Sequence, residues 1–203
     1  MGKKVVVVGA VAAGPKCAVR VKRLDPDAEV VMIDQDSLIS YGGCGIPYYV
    51  SGDVPDEKEL RSTNFHMLRD EYFFEKANGV TTLTSTRVKT IDRPNKTVTA
   101  EHVSSGEVQE IGYDKLLLAT GSEPIVPPLP GLDLDGVFTV NNLHKAIEIK
   151  DRIAKGQVGK AVIVGGGAIG IEMAEAFKDL WGVDATIVEM KSHLLPSLVD
   201  WEM

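Results

Sequence analysis

Cys44 stands in the stretch Ser40-Tyr41-Gly42-Gly43-Cys44-Gly45-Ile46-Pro47-Tyr48-Tyr49 and is one of two cysteines in the chain. A thiolate there could attack a disulfide or sulfane sulfur, or be oxidised to a sulfenic acid. The glycines let the backbone approach something flat or anionic. A helix could begin near Gly45-Ile46-Pro47, and its N-terminus would favour the thiolate. The bland alternative is a small buried apolar residue, and Cys17, set among Ala12, Ala13 and Ala18, is read that way.

The elements around this stretch read as two nucleotide-binding turns. Lys4-Val5-Val6-Val7-Val8 is a β-branched run suited to a buried parallel strand. It leads into Gly9-Ala10-Val11-Ala12-Ala13-Gly14 and a helix over 16–24, which Asp25-Pro26 stops. Glu29-Val30-Val31-Met32-Ile33 follows as a strand, and Asp34 lies twenty positions after Gly14. This is a βαβ unit with a dinucleotide fingerprint: a tight turn, free N–H groups at a helix start for a pyrophosphate, and an acid for a ribose hydroxyl. The middle glycine position is occupied by Val11. The pattern returns at Ala161-Val162-Ile163-Val164, then Gly165-Gly166-Gly167-Ala168-Ile169-Gly170, a helix over 171–180 and a strand over 185–188. Its acid, Glu189, lies nineteen positions after Gly170.

Between the two units, residues 65–76 read as a helix with Phe65, Leu68, Tyr72 and Phe73 near one face, closed by Gly79. Residues 81–84, 87–91, 97–99 and 108–111 are short, threonine-rich, alternating segments and read as an inserted β-meander. Residues 113–121 are a buried strand ending in Ala119-Thr120-Gly121. Pro124, Pro127, Pro128 and Pro130 then make a stiff linker and the expected domain boundary. Residues 142–154 are helical. The expected fold class is α/β: two Rossmann-like, doubly wound, parallel-sheet units in tandem, with a small meander inserted in the first. The second unit stops after one βαβ, so the sequence is expected to be part of a longer protein.

The chain has 203 residues and a formal net charge of −7, which argues against a general nucleic-acid binder. Two cysteines make no disulfide framework. No apolar run approaches the length of a membrane helix. A cytoplasmic protein with no membrane or nucleic-acid partner is expected.

Taken together, the order of motifs resembles the pyridine nucleotide-disulfide oxidoreductase family of FAD enzymes. The resemblance rests on the fingerprint ending in Asp34, on Ala119-Thr120-Gly121 after Leu116-Leu117-Leu118, and on Gly165-x-Gly167-x-x-Gly170. Dithiol members carry a second cysteine five positions after the first, where this chain has Tyr49. Ser40-x-x-x-Cys44-x-x-Pro47-Tyr48-Tyr49 is similar to the single-cysteine branch, which includes coenzyme A-disulfide reductases, NADH oxidases and peroxidases, and persulfide reductases.

The resemblance implies an FAD-binding domain over 1–122, incomplete, and an NAD(P)-binding domain over 123–203, truncated. FAD would be held by Gly9, Val11, Ala12, Gly14, Asp34, Ala119, Thr120 and Gly121. NAD(P)H, with NADH favoured, would be held by Gly165, Gly167, Ala168, Ile169, Gly170, Glu172 and Glu189. Cys44 would be the redox centre, with Ser40 hydrogen-bonding near its sulfur. Arg20 and Arg23, with Lys22 beside them, would bind coenzyme A phosphates, for which a guanidinium fork is suited. Gly43 takes a place often filled by asparagine, so that polar contact is lost. No metal is implied, and the full-length protein would be a homodimer whose partner subunit completes the site. The segment alone is expected to bind cofactor poorly. The oxidase or peroxidase chemistry, and a flavin module with an idle cysteine, remain open alternatives.

Overall fold

The computed structural model describes residues 2–196, 198–200 and 202. In chain order the elements are β1 (Lys4–Val8), α1 (Ala13–Leu24), β2 (Glu29–Ile33), a 3-10 turn (Gly43–Gly45), α2 (Ile46–Ser51), α3 (Glu57–Leu60), α4 (Glu71–Asn78), β3 (Thr81–Leu83), β4 (Thr86–Asp92), β5 (Thr97–His102), β6 (Val108–Gly112), β7 (Lys115–Leu118), α5 (Leu143–Ala154), β8 (Lys160–Val164), α6 (Ala168–Lys178) and β9 (Asp184–Val188). The chain divides into two compact units. The first comprises residues 1–42 and 61–123, the second residues 43–60 and 124–203.

The first unit is built on a parallel sheet of order β3-β2-β1-β7. β1 is an inner strand, as is β2, with Val6 opposite Val31 on one side and Leu116 on the other. A parallel strand flanked this way needs cover on both faces, which explains its uninterrupted valines. Val7, Val30 and Met32 pack with Ala18 of α1 and Phe74 of α4 on one face. Val6, Val31 and Ile33 pack with Val98, Ala100 and Ile111 of the antiparallel sheet β4-β5-β6 on the other. Each fully buried valine contributes roughly 1.5–3 kcal/mol.

Three expectations change here. Thr81–Leu83 does not join the antiparallel strands but pairs parallel with β2, Val31 opposite Thr81 and Ile33 opposite Leu83. Composition is the same for both destinations; the α4 crossover decides between them. The helix expected over 65–76 is shorter and later. Asp70 caps α4 by accepting from the Phe73 amide at 2.9 Å. Before it, Thr63 Oγ1 accepts from the amides of Phe65 and Met67, a local alternative to helix hydrogen bonds. Phe65 is left 87% exposed, so it was no core position. The N-termini of α1 and α6 also lie three residues earlier than the sequence pattern suggested, at Ala13 and Ala168.

In the second unit β8 and β9 run parallel, Ile163 opposite Ile187. α6 packs on both strands, and α2 packs on α5 and α6. Asn142 caps α5, its side chain accepting from the Lys145 amide at 3.0 Å. The alternate side chains Val162, Val164 and Val188 are exposed.

Candidate functional site

The first glycine turn is fixed by close approach. Gly9 has φ +107°, and a Cβ on it would lie 2.1 Å from the Ala119 carbonyl oxygen. A Cβ on Gly14 would lie 1.7 Å from the Gly9 carbonyl oxygen. The Gly9 amide donates to the Ile33 carbonyl at 2.8 Å, and the Ala119 amide to that of Val8 at 2.7 Å. The segment Ala119-Thr120-Gly121 thus runs against the first turn at Ala119, and Gly121 has φ +72°.

Asp34 stands beside the same turn. Its Oδ2 accepts from the Ala10 amide at 2.5 Å and its Oδ1 from the Asp36 amide at 2.9 Å. Burial raises its pKa, while the two amides work against that rise. Expected to wait for a ribose, this carboxylate is already engaged, although its two oxygens offer about four acceptor sites in all. Ser40 is buried with φ +54°, and its amide donates to the Ala10 carbonyl at 2.7 Å.

The second turn repeats these contacts. Gly165 has φ +111°, its amide donates to the Val188 carbonyl at 2.8 Å, and a Cβ on Gly170 would lie 2.0 Å from the Gly165 carbonyl oxygen. Glu189 Oε2 accepts from the Gly166 amide at 2.7 Å and Oε1 from the Lys191 amide at 2.8 Å. Those donors, Lys191 first, lower its pKa. Among the described residues a Cβ at Gly167 would meet nothing within 4 Å, so none of them requires glycine there and a phosphate could use the space. At the equivalent place in the first turn stands Val11, half-buried. Ala168 and Ile169 are exposed on the first turn of α6, and Glu172, also exposed, lies just beyond it. Each turn opens a helix whose first N–H groups lack intrahelical acceptors, so the residues present fit a dinucleotide pyrophosphate at both.

Cys44 is exposed in the 3-10 turn that leads into α2. The expected helix start is there, but α2 is only six residues long. Among the described residues Gly43 has no neighbour within 4 Å of an added Cβ, whereas one on Gly45 would lie 2.4 Å from Leu60 Cδ2. Tyr48 is exposed and Tyr49 buried, with Lys150 Nζ 4.0 Å from the Tyr49 ring centroid. Trp181 Nε1 donates to the Val50 carbonyl at 2.7 Å. Neither Lys150 nor Trp181 stands out in the sequence pattern.

Arg20 and Arg23 are exposed on α1 and make no ion pair among the described residues. Lys22 differs: its Nζ donates to the carbonyls of Pro26 and Ala28 at 2.7 and 2.8 Å, which ties down the α1–β2 turn. Among the described residues no group of three His, Cys, Asp or Glu could hold a metal, and no helix is long and apolar enough to cross a membrane.

Comparison with known proteins agrees with this geometry. The family model for pyridine nucleotide-disulphide oxidoreductases matches residues 3–203. An NADH oxidase of Methanocaldococcus jannaschii is 34% identical over 200 residues, 98% of this chain and 43% of the relative. A coenzyme A disulfide reductase of Staphylococcus haemolyticus is 32% identical over 201 residues, 99% of this chain and 43% of the relative. The solved NAD-dependent persulfide reductase from A. fulgidus superposes with a TM-score of 0.93 at 39% identity, over 97% of this chain and 36% of that one. The chain thus spans less than half the length of these relatives.

Proposed function

Since the chain belongs to the pyridine nucleotide-disulphide oxidoreductase family, we propose that it forms part of a flavoprotein that uses NAD(P)H to reduce a disulfide or persulfide at Cys44. The observation that carries this reading is an exposed, unpaired thiol in a chain with two dinucleotide turns. In this reading residues 1–122 serve FAD and 123–203 serve NAD(P)H, each as part of a Rossmann-like unit. Gly9, Val11, Ala12, Gly14, Ala119, Thr120 and Gly121 hold FAD, with Asp34 offering its remaining acceptor sites to a ribose. Gly165, Gly167, Ala168, Ile169 and Gly170 hold the nicotinamide dinucleotide, with Glu172 near its nicotinamide. The Glu189 carboxylate disfavours a 2′-phosphate and so favours NADH. When bound, FAD supplies the two-electron relay between reduced nicotinamide and sulfur.

Cys44 performs the sulfur step. Its thiolate attacks one sulfur of a disulfide, the Cys44–sulfur bond forms, the substrate S–S bond breaks, and the expelled thiolate takes a proton. Two electrons then cleave the mixed disulfide, restoring the Cys44 thiolate and releasing the second thiol. A persulfide reacts by the same exchange. Ser40 assists near the sulfur. Arg20 and Arg23 meet the phosphates of a coenzyme A-type substrate, and Lys22, held by two carbonyls, supports their helix. The open space at Gly43 admits that substrate. A homodimeric, soluble cytoplasmic enzyme is the assembly proposed for the whole protein.

The likeness to an NADH oxidase supports a second reading. There the Cys44 thiolate takes one oxygen from a peroxide, giving a sulfenic acid and releasing hydroxide. Anaerobic assay of the whole protein with coenzyme A disulfide separates the two. Oxygen-independent NADH consumption with thiol release is expected, and Cys44→Ser should lower it by at least about 10²-fold. Turnover only with oxygen or peroxide would sink the disulfide reading, and unchanged sulfur reduction in Cys44→Ser would leave a flavin module with an idle cysteine.

A further inference from the structure

The thiol rides on a helix that cannot hold its own place. α2 has six residues, too few to be stable alone, and its entry is a single 3-10 turn. What sets the position of Cys44 is therefore whatever holds α2. Ile46, Tyr49 and Val50 are buried. Polar contacts then fix its far end, where the last carbonyls of a helix need donors. Trp181 Nε1 supplies one to the Val50 carbonyl at 2.7 Å. Lys150 Nζ supplies two beyond the helix, to Val54 at 2.9 Å and Pro55 at 3.0 Å, while lying 4.0 Å from the Tyr49 ring centroid. A cation at this end of a helix is also favoured by the dipole. Gly52 closes α2 at φ +102°, where a Cβ would lie 2.4 Å from Leu180 Cδ2 and 3.9 Å from the Trp181 ring.

The origin of the two donors gives these contacts their meaning. Lys150 belongs to α5, and Trp181 follows shortly after α6, the helix that opens at the second glycine turn. We propose that Trp181 and Lys150 are positioning residues for Cys44, pinning the thiol-bearing helix to the helices of the nicotinamide-nucleotide unit. The inference rests on the reading of Cys44 as the redox centre. It adds that the reach of the thiol is governed from that unit and not by the local 40–49 stretch alone.

Trp181→Phe keeps the ring and removes the donor; Lys150→Met keeps the aliphatic stem and removes the ammonium. In the cofactor-loaded whole protein, kcat with coenzyme A disulfide should fall about tenfold in each, since small misplacements of a reacting group are costly. The KM for NADH, and the rate with dichlorophenolindophenol, a dye that takes electrons without a thiol, should stay within about twofold. Amide exchange over residues 50–54, read without any acceptor, should quicken. The proposal is overturned if disulfide turnover is unchanged in the folded variants, or if dye reduction falls in parallel with it. Should Trp181→Phe not fold, Lys150→Met decides alone. Cys44→Ser run alongside separates the two failures. Surviving disulfide turnover there removes the redox reading and this inference together, whereas loss in Cys44→Ser with normal Trp181→Phe and Lys150→Met removes only the inference.

Discussion

The two glycine turns are nearly the same object placed in different surroundings. Gly9 and Gly165 have φ of +107° and +111°. Their amides donate to Ile33 and Val188 at the same 2.8 Å. The next amide in each turn reaches the acid at the end of the following strand, Ala10 to Asp34 at 2.5 Å and Gly166 to Glu189 at 2.7 Å. Beyond this shared frame they diverge. At Gly9 the Ala119 carbonyl crowds the turn, whereas none of the described residues lies within 4 Å of a Cβ on Gly165. β1 is paired on both edges, while β8 has only β9 beside it among the described residues. The comparison teaches that glycine and acid spacing sets the turn, while the neighbouring strand sets how much room it has.

Gly9→Ala and Gly165→Ala test that lesson with the largest expected effect. Both residues hold a backbone conformation that costs an L-residue about 1–3 kcal/mol. Only Gly9→Ala adds a collision with Ala119 backbone, which cannot move aside as a side-chain tip could. Its total should exceed about 4 kcal/mol, and Gly165→Ala should stay near the strain alone. Urea unfolding of the two variants measures the difference. Equal losses would mean that the Ala119 approach is not what distinguishes the turns.

A smaller effect is expected at the middle position, Val11 against Gly167. Gly167→Val has space around it in the protein, so stability should change by no more than about 0.5 kcal/mol. NADH affinity should nevertheless fall about tenfold, which is about 1.4 kcal/mol, because the branched side chain takes the place proposed for phosphate. Titration of the whole protein with NADH, alongside a melting curve, separates these. Lost stability with retained affinity would show that the open space at Gly167 serves packing and not nucleotide.

Much of this frame is legible in the sequence because it is local. A β-branched run, two glycines and an acid some twenty positions on specify the strand, the turn and the acid at the end of the next strand together. Contacts that depend on distant partners are not legible. Thr81–Leu83 looks like any threonine-rich strand, and its pairing with Val31–Ile33 is set by the intervening α4. Residues 43–60 lie in sequence between two segments of the first unit yet belong to the second. Among their ties are bonds from Trp181 and Lys150, 131 and about 95 positions away. A faint signal did exist: Trp181 is one of two tryptophans, and a half-buried indole N–H needs an acceptor somewhere. The ribose-binding expectation for Asp34 and Glu189 did not include the amides that engage them.

Those two acids give the finest test of the comparison, since the shared amide bond lowers both while their net shifts are opposite. Burial raises Asp34 above the ordinary aspartate pKa. The Lys191 and Gly166 amides lower Glu189 below the ordinary glutamate value. The signs of the linkage are therefore opposed. A raised folded-state pKa makes the protonated Asp34 the better-accommodated form, so its contribution is present below the unfolded-state pKa and is lost as pH rises through the folded one. A depressed pKa makes the Glu189 contribution present above its unfolded-state pKa and lost as pH falls through the folded one. Carboxyl-carbon NMR should place Asp34 above and Glu189 below their peptide values. Asp34→Asn should flatten the fall in stability on the alkaline side of the aspartate range, and Glu189→Gln should flatten the fall on the acid side of the glutamate range. If both acids move in the same direction, the backbone bond common to the turns, and not the difference in burial around them, controls their charge.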